Sequence, residues 1–142
     1  MVTETVRNYE AMSEVGASII FADAMKRLGK GERYNLGLAT GNTMITLYTL
    51  LADKFNRAKA DLSLLSTWNL DANLMPRYAA TMGMAPILAA KKCLLLACFT
   101  EQTAPLKAIF AKGAPTPFLP ASYLWRHPDY HLVYTTDKIK EL

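Results

Sequence analysis

Residues 34–57, YNLGLATGNTMITLYTLLADKFNR, carry the reading that decides the fold. Tyr34 to Thr40 predicts a short strand, apolar enough to be buried on both faces. Gly41-Asn42-Thr43 is a tight turn, and a helix is predicted over roughly 43–57. Met44, Leu47, Tyr48, Leu51 and Phe55 recur at three- and four-residue steps and form its apolar face. Thr46, Asp53, Lys54 and Arg57 form the opposite, polar face. A strand handed through a glycine turn to an amphipathic helix is the repeating unit of α/β sheets.

The same alternation continues on both sides. Upstream, residues 8–28 predict a helix with Met12, Val15, Ile19, Ala22 and Met25 on one face, stopped by Leu28-Gly29-Lys30-Gly31. Downstream, Leu64 to Leu70 predicts a second strand ending at Asp71. Tyr78 to Met82 reads as a short strand, followed by a brief helix at 85–91. Lys92 to Phe99 is the best central strand, and 101–112 predicts a helix offering Ala104, Leu106, Ala108, Ile109 and Phe110 for burial. Gly113 to Pro120 is a proline-rich connection. A short helix at 121–126 stops before Pro128, and His131 to Thr135 is a last strand. Strands separated by helices imply right-handed crossovers and a mostly parallel sheet. The expected fold is α/β, a three-layer sandwich with a Rossmann-like sheet, built as one domain over residues 1–142.

Composition narrows the function classes. The chain has 142 residues, 51% hydrophobic and 20% charged, too apolar for a disordered segment. Its longest apolar run, Cys93 to Phe99, falls far short of the ~20 residues of a membrane span. The opening Met1 to Thr5 lacks the pattern of a secretory signal, so a cytoplasmic protein with no membrane partner is expected. Sixteen Lys and Arg against twelve Asp and Glu give +4. The cations gather at predicted helix ends (Lys26, Arg27, Lys30 and Arg33; Lys54, Arg57 and Lys59) rather than in a stripe suited to nucleic acid. Cys93 and Cys98, five apart on a strand, point to opposite faces and read as buried thiols. His127 and His131 have no predictable carboxylate or cysteine partner and read as structural. No Walker lysine, dinucleotide fingerprint or metal-ligand spacing occurs, so neither cofactor nor metal is expected.

Ligands of open parallel sheets collect at the carboxyl ends of strands. Thr40, Gly41, Asn42 and Thr43 occupy one such end. A glycine lets backbone approach a ligand, the helix behind it aims N–H groups and a positive dipole end at it, and Thr43 adds a hydroxyl. That combination suits a phosphate. Asp71, at the end of the next strand, emerges on the same edge if the two strands are parallel, and a carboxylate there suits a general base. The alternative for Asp71 is a turn-starting residue, and for the glycine loop a plain turn.

Four blocks in order, LGLATGNTMITLYTLL (36–51), STWNLD (66–71), MPRYAATMGMAPILAAKKCLLLA (75–97) and TPFLPASYLWRHPD (116–129), resemble the glucosamine-6-phosphate deaminase/isomerase family. Its galactosamine-6-phosphate relatives look similar at the C-terminal end. The resemblance implies conversion of an amino-sugar 6-phosphate to a ketohexose 6-phosphate and ammonia, without redox cofactor or obligatory metal. It implies that Thr40, Gly41, Asn42 and Thr43 hold the phosphate and that Asp71 moves a proton between C1 and C2. Asn42 stands where many members carry serine. Asp71 is followed almost at once by Met75-Pro76-Arg77, so the family's central region, with its ring-opening histidine, is absent, and a deletion junction is expected near 72–75. Thr103 stands about where the family carries a phosphate-binding lysine. Two further readings follow: a sugar-phosphate-binding module without turnover, and an α/β scaffold without a ligand. Apolar surface left open by the missing region predicts self-association.

Overall fold

The computed structural model describes residues 2–69, 71–75, 78–81, 83–140 and 142; side chains at 69, 71–75 and 78–81 are outside the description. In chain order the elements are β1 (Val2–Val6), α1 (Tyr9–Leu28), β2 (Tyr34–Leu38), α2 (Ile45–Arg57), β3 (Leu65–Asn69), β4 (Asp71–Met75), β5 (Tyr78–Thr81), α3 (Met84–Leu88), β6 (Cys93–Ala97), α4 (Thr103–Phe110) and β7 (Tyr130–Thr135). Short 3-10 turns open α2 and α4 and span Pro120–Arg126. The class is α/β, and three of the described strand pairings (β1 with β7, β6 with β7, β2 with β3) are parallel. By hydrogen bonding the strands form separate sheets, β1-β7-β6, β2-β3 and β4-β5. The chain falls into two compact units, Met1–Met12 with Gly83–Leu142, and Ser13–Met82.

The first unit is organised by β7. Leu132 and Val133 at its centre are fully buried, and the chain on either side is sealed by Tyr130 and Thr135. Burying side chains of this size is worth ~1.5–3 kcal/mol each. Leu106 and Ile109 of α4, Leu124 and Ile139 pack with Cys93, Ala97, Tyr130 and Leu132 into one cluster. Of the residues α4 was expected to offer, Leu106 and Ile109 are buried and Phe110 half-buried, while Ala104 and Ala108 face solvent. Both cysteines are free and buried, as expected. Burial and the nearby Asp129 carboxylate push the Cys93 thiol up, so it stays protonated and unreactive near neutral pH.

In the second unit α2 buries Leu47, Leu51 and Phe55, the expected face. The Phe55 ring meets Phe21 of α1 at a centroid distance of 5.4 Å, and Lys54 pairs with Glu14 across the same two helices. The face expected for α1 is corrected. Met12, Gly16, Ala17, Ile20 and Ala24 are buried, whereas Val15, Ile19 and Met25 are half-buried and Ala22 is exposed. Ser13, Gly16, Ala17 and Ala24 in the buried stripe give a hydrophobic period little to single out, and small side chains let a neighbour come close. Asn8 caps its start by accepting the Ala11 N–H at 3.0 Å.

Three more expectations change. β2 is half-buried with Asn35 and Gly37 exposed, because β3 is its hydrogen-bonded neighbour on one side and no second partner occurs among the described residues. Residues 71–75 form β4 rather than a bare connection, and β4 pairs antiparallel with β5. A link this short reaches only an adjacent strand, and a hairpin does that with local pairing. Val2–Val6, to which the sequence reading assigned no element, pairs in parallel with β7 from Val2↔His131 to Val6↔Thr135. Leu70 and Met82, expected at the ends of strands, lie outside the described residues, as do Pro76 and Arg77.

Candidate active site

β2 and β3 run parallel in the register Tyr34↔Leu65 through Leu38↔Asn69. Leu38 therefore stands level with Asn69 at the carboxyl ends of two strands ~4.8 Å apart. Thr40 follows Leu38 by two residues and Asp71 follows Asn69 by two. The backbone thus carries both expected site segments off the same end of one strand pair. Asp71 opens β4 opposite Thr81; its side chain lies outside the description.

The loop between β2 and α2 has the geometry the glycine foretold. Gly41 has φ 101° and ψ 168°, a conformation that L side chains rarely adopt. The 3-10 turn Asn42–Met44 follows, closed by the Met44 N–H donating to the Gly41 carbonyl at 3.1 Å. No side chain caps this turn, and neither it nor the first turn of α2 carries an acidic residue. The positive end of the helix is therefore not neutralised by its own sequence. Thr40, Gly41 and Asn42 are exposed and Thr43 is half-buried. Tyr48, one turn into α2, donates its hydroxyl to the Ala39 carbonyl at 2.7 Å. The sequence reading placed Tyr48 on the apolar face and missed this bond. The available signal was a phenol among leucines, whose O–H needs an acceptor when it packs.

Other polar groups lie elsewhere. A cavity of about 220 Å³ is lined by Asp23, Lys26, Arg27, Lys30 and Glu32, where Arg27 is 3.6 Å from both Asp23 and Glu32. It sits at the C-terminal end of α1, where carbonyls repel anions, and leads into the amino end of β2, the wrong end for the expected site. His127 is structural: its Nε2 donates to the Ala90 carbonyl at 2.7 Å, and its Nδ1 accepts the Asp129 N–H at 3.2 Å, an arrangement that requires the Nε2-protonated tautomer. His131 corrects the sequence reading, for its Nε2 meets the Asp129 carboxylate at 3.1 Å, and Lys92 approaches that carboxylate at 3.6 Å. That group sits at the amino ends of β6 and β7. At the carboxyl end of β6, the N–H groups of Cys98 and Phe99 donate to Gln102 Oε1 at 2.8 and 2.9 Å. The turn leading to Thr103 thus satisfies these amides internally. No cluster of three metal-ligating side chains occurs among the described residues, and no helix among them is long and apolar enough to cross a membrane.

These features define a class: an α/β protein with parallel strands that deliver a glycine-hinged helix N-terminus and an acidic residue to one end of a strand pair. Known proteins narrow it further. The chain is 38% identical over 66 residues to glucosamine-6-phosphate deaminase of Shouchella clausii (strain KSM-K16), covering 46% of this chain and 25% of that protein. It is 37% identical over 71 residues to the deaminase of Alkaliphilus oremlandii (strain OhILAs), 50% of this chain and 28% of that one. The Clostridium acetobutylicum deaminase is 36% identical over 67 residues, 47% and 26% respectively. The chain spans about a quarter of the length of these curated relatives. A solved monomeric glucosamine-6-phosphate deaminase, described as a missing link of the NagB superfamily, matches with a TM-score of 0.83. It covers 97% of this chain and 98% of its own at 15% identity, a likeness of fold. No protein-family model matches. The chain is thus similar to glucosamine-6-phosphate deaminases by sequence over about half its length, and to a solved one in fold over nearly all of it.

Proposed function

We propose that the chain binds an amino-sugar 6-phosphate and acts in the deaminase/isomerase reaction, a hydrolase and isomerase chemistry that yields a ketohexose 6-phosphate and ammonia. In this reading Thr40, Gly41, Asn42 and Thr43 hold the phosphate, and Asp71 moves the proton between C1 and C2. The single observation that supports it is the parallel register of β2 and β3, with Leu38 level with Asn69. A molecule gripped by its phosphate at the first strand end reaches toward the second with its carbon chain. The uncapped, non-acidic start of α2 supports an anion there. The named curated relatives are glucosamine-6-phosphate deaminases, and a cytoplasmic site of action follows from that metabolic role.

Ammonia release from glucosamine 6-phosphate and galactosamine 6-phosphate tests the activity. Turnover that disappears in Asp71→Asn, with sugar-phosphate binding retained, is the expected result; equal loss of both would make Asp71 structural. A second reading, a sugar-phosphate-binding module without turnover, draws on the direct passage from β3 into the β4–β5 hairpin. The resemblance places a central proton-relay region between these positions. Binding without ammonia release in the unaltered chain selects it.

A further inference from the structure

The loop that holds the proposed phosphate has to fix its backbone to within ~0.5 Å to be useful, since donors only slightly misdirected lose most of their advantage. Its pivot is Gly41. Gly41 is the least restrained residue type, it sits at φ 101°, and no side chain caps the turn that follows.

We infer that Tyr48 is a positioning residue of this loop, acting through its hydrogen bond to the Ala39 carbonyl rather than by touching the ligand. The inference rests on the phosphate-loop reading above. The bond is short, 2.7 Å, and ties Ala39 at the exit of β2 to Tyr48, nine positions on and one turn into α2. A peptide group is planar and trans, so its C=O and N–H point in opposite directions. Anchoring the Ala39 oxygen to Tyr48 therefore also sets the direction of the Thr40 N–H, the first peptide of the loop. The anchor is itself rigid, because Leu47 and Leu51, the neighbours of Tyr48 on α2, are buried. The phenol couples the buried face of the helix to the strand exit that leads into Gly41.

The test is a double-mutant cycle on binding of glucosamine 6-phosphate, read by calorimetry or thermal shift, with Tyr48→Phe, Thr43→Val and the pair. Phenylalanine keeps the ring and removes only the hydroxyl, and urea unfolding without ligand records any change in the fold. The expected result is about a tenfold loss of affinity in Tyr48→Phe. The loss in the pair should be clearly smaller than the product of the single losses, because both act on one loop. Tyr48→Phe binding like the parent while Thr43→Val weakens binding overturns the inference and spares the phosphate loop. Losses that multiply independently also overturn it, since they place Tyr48 outside the loop's action. Unchanged affinity in both variants removes the phosphate-loop reading itself. A Tyr48→Phe chain that does not fold would make the phenol a structural anchor and overturn the positioning role.

Discussion

The β1-β7-β6 sheet and the β2-β3 pair are both parallel, yet they meet solvent in opposite ways. β7 has a hydrogen-bonded neighbour on each side and fully buried Leu132 and Val133. β2 has one described neighbour and alternates half-buried with exposed residues. On β3, opposite exposed Gly37, Trp68 is 62% exposed. A parallel strand normally gains its stability from cover on both faces. In the first unit β7 follows that rule, although the edge strand β1 is exposed along most of its length. The second departs from it beside the end of the strands where the proposed ligand loop lies, so stability and proposed chemistry rest on different strands.

The sharpest contrast is a pair of truncations. Leu132→Ala in β7 removes a fully buried side chain and should cost about 2–5 kcal/mol in urea unfolding. Leu36→Ala in β2 removes a half-buried one and should cost ~1 kcal/mol. Equal losses would erase the distinction between the two sheets.

Alkaline titration probes the buried side from another direction. Burial, with a smaller contribution from Cys93, pushes the Tyr130 phenol up to about 12. The native state then holds a proton that the unfolded chain gives up near pH 10, so the stabilisation is complete below pH 10 and is lost as pH rises towards 12. Unfolding midpoints measured over that window should fall, and Tyr130→Phe should reduce the slope.

On the exposed side, Thr43→Val should weaken binding of phosphorylated sugars about tenfold, the scale of one hydrogen bond to a charged group, with little change in unfolding. A large loss of stability instead would tie Thr43 to the fold.

The smallest effect concerns how the two helices of the second unit end. α1 closes with Gly31 at φ 72°, its neighbour Glu32 donating back to the Arg27 carbonyl. α2 closes in the same way, with Ala60 donating to Phe55, but Lys59 occupies the left-handed position at φ 47°. Lys59→Gly should therefore stabilise by ~0.5–1 kcal/mol, whereas Gly31→Ala should destabilise. A Lys59→Gly chain less stable than its parent would contradict this.

What the sequence discloses follows from how local each signal is. The α2 face was legible because leucines and Phe55 contrast with charged residues every turn. The α1 face was not, because its buried stripe includes Gly16, Ala17 and Ala24, which a hydrophobic period does not single out. β1 depends wholly on a partner at the far end of the chain, and Val-Thr-Glu-Thr-Val carries only two apolar side chains. At the candidate site, Gly41 was legible because its turn demands a backbone that only glycine adopts freely. The Tyr48 bond was not, since it depends on how α2 packs beside the exit of β2.

Amide hydrogen exchange with and without glucosamine 6-phosphate tests most directly whether the loop after β2 and the segment after β3 share one ligand. The account predicts joint protection of residues 40–45 and 71–73, with the β6–β7 core and residues 23–32 unchanged. Protection confined to 23–32, or to one of the two strand ends without the other, would contradict it.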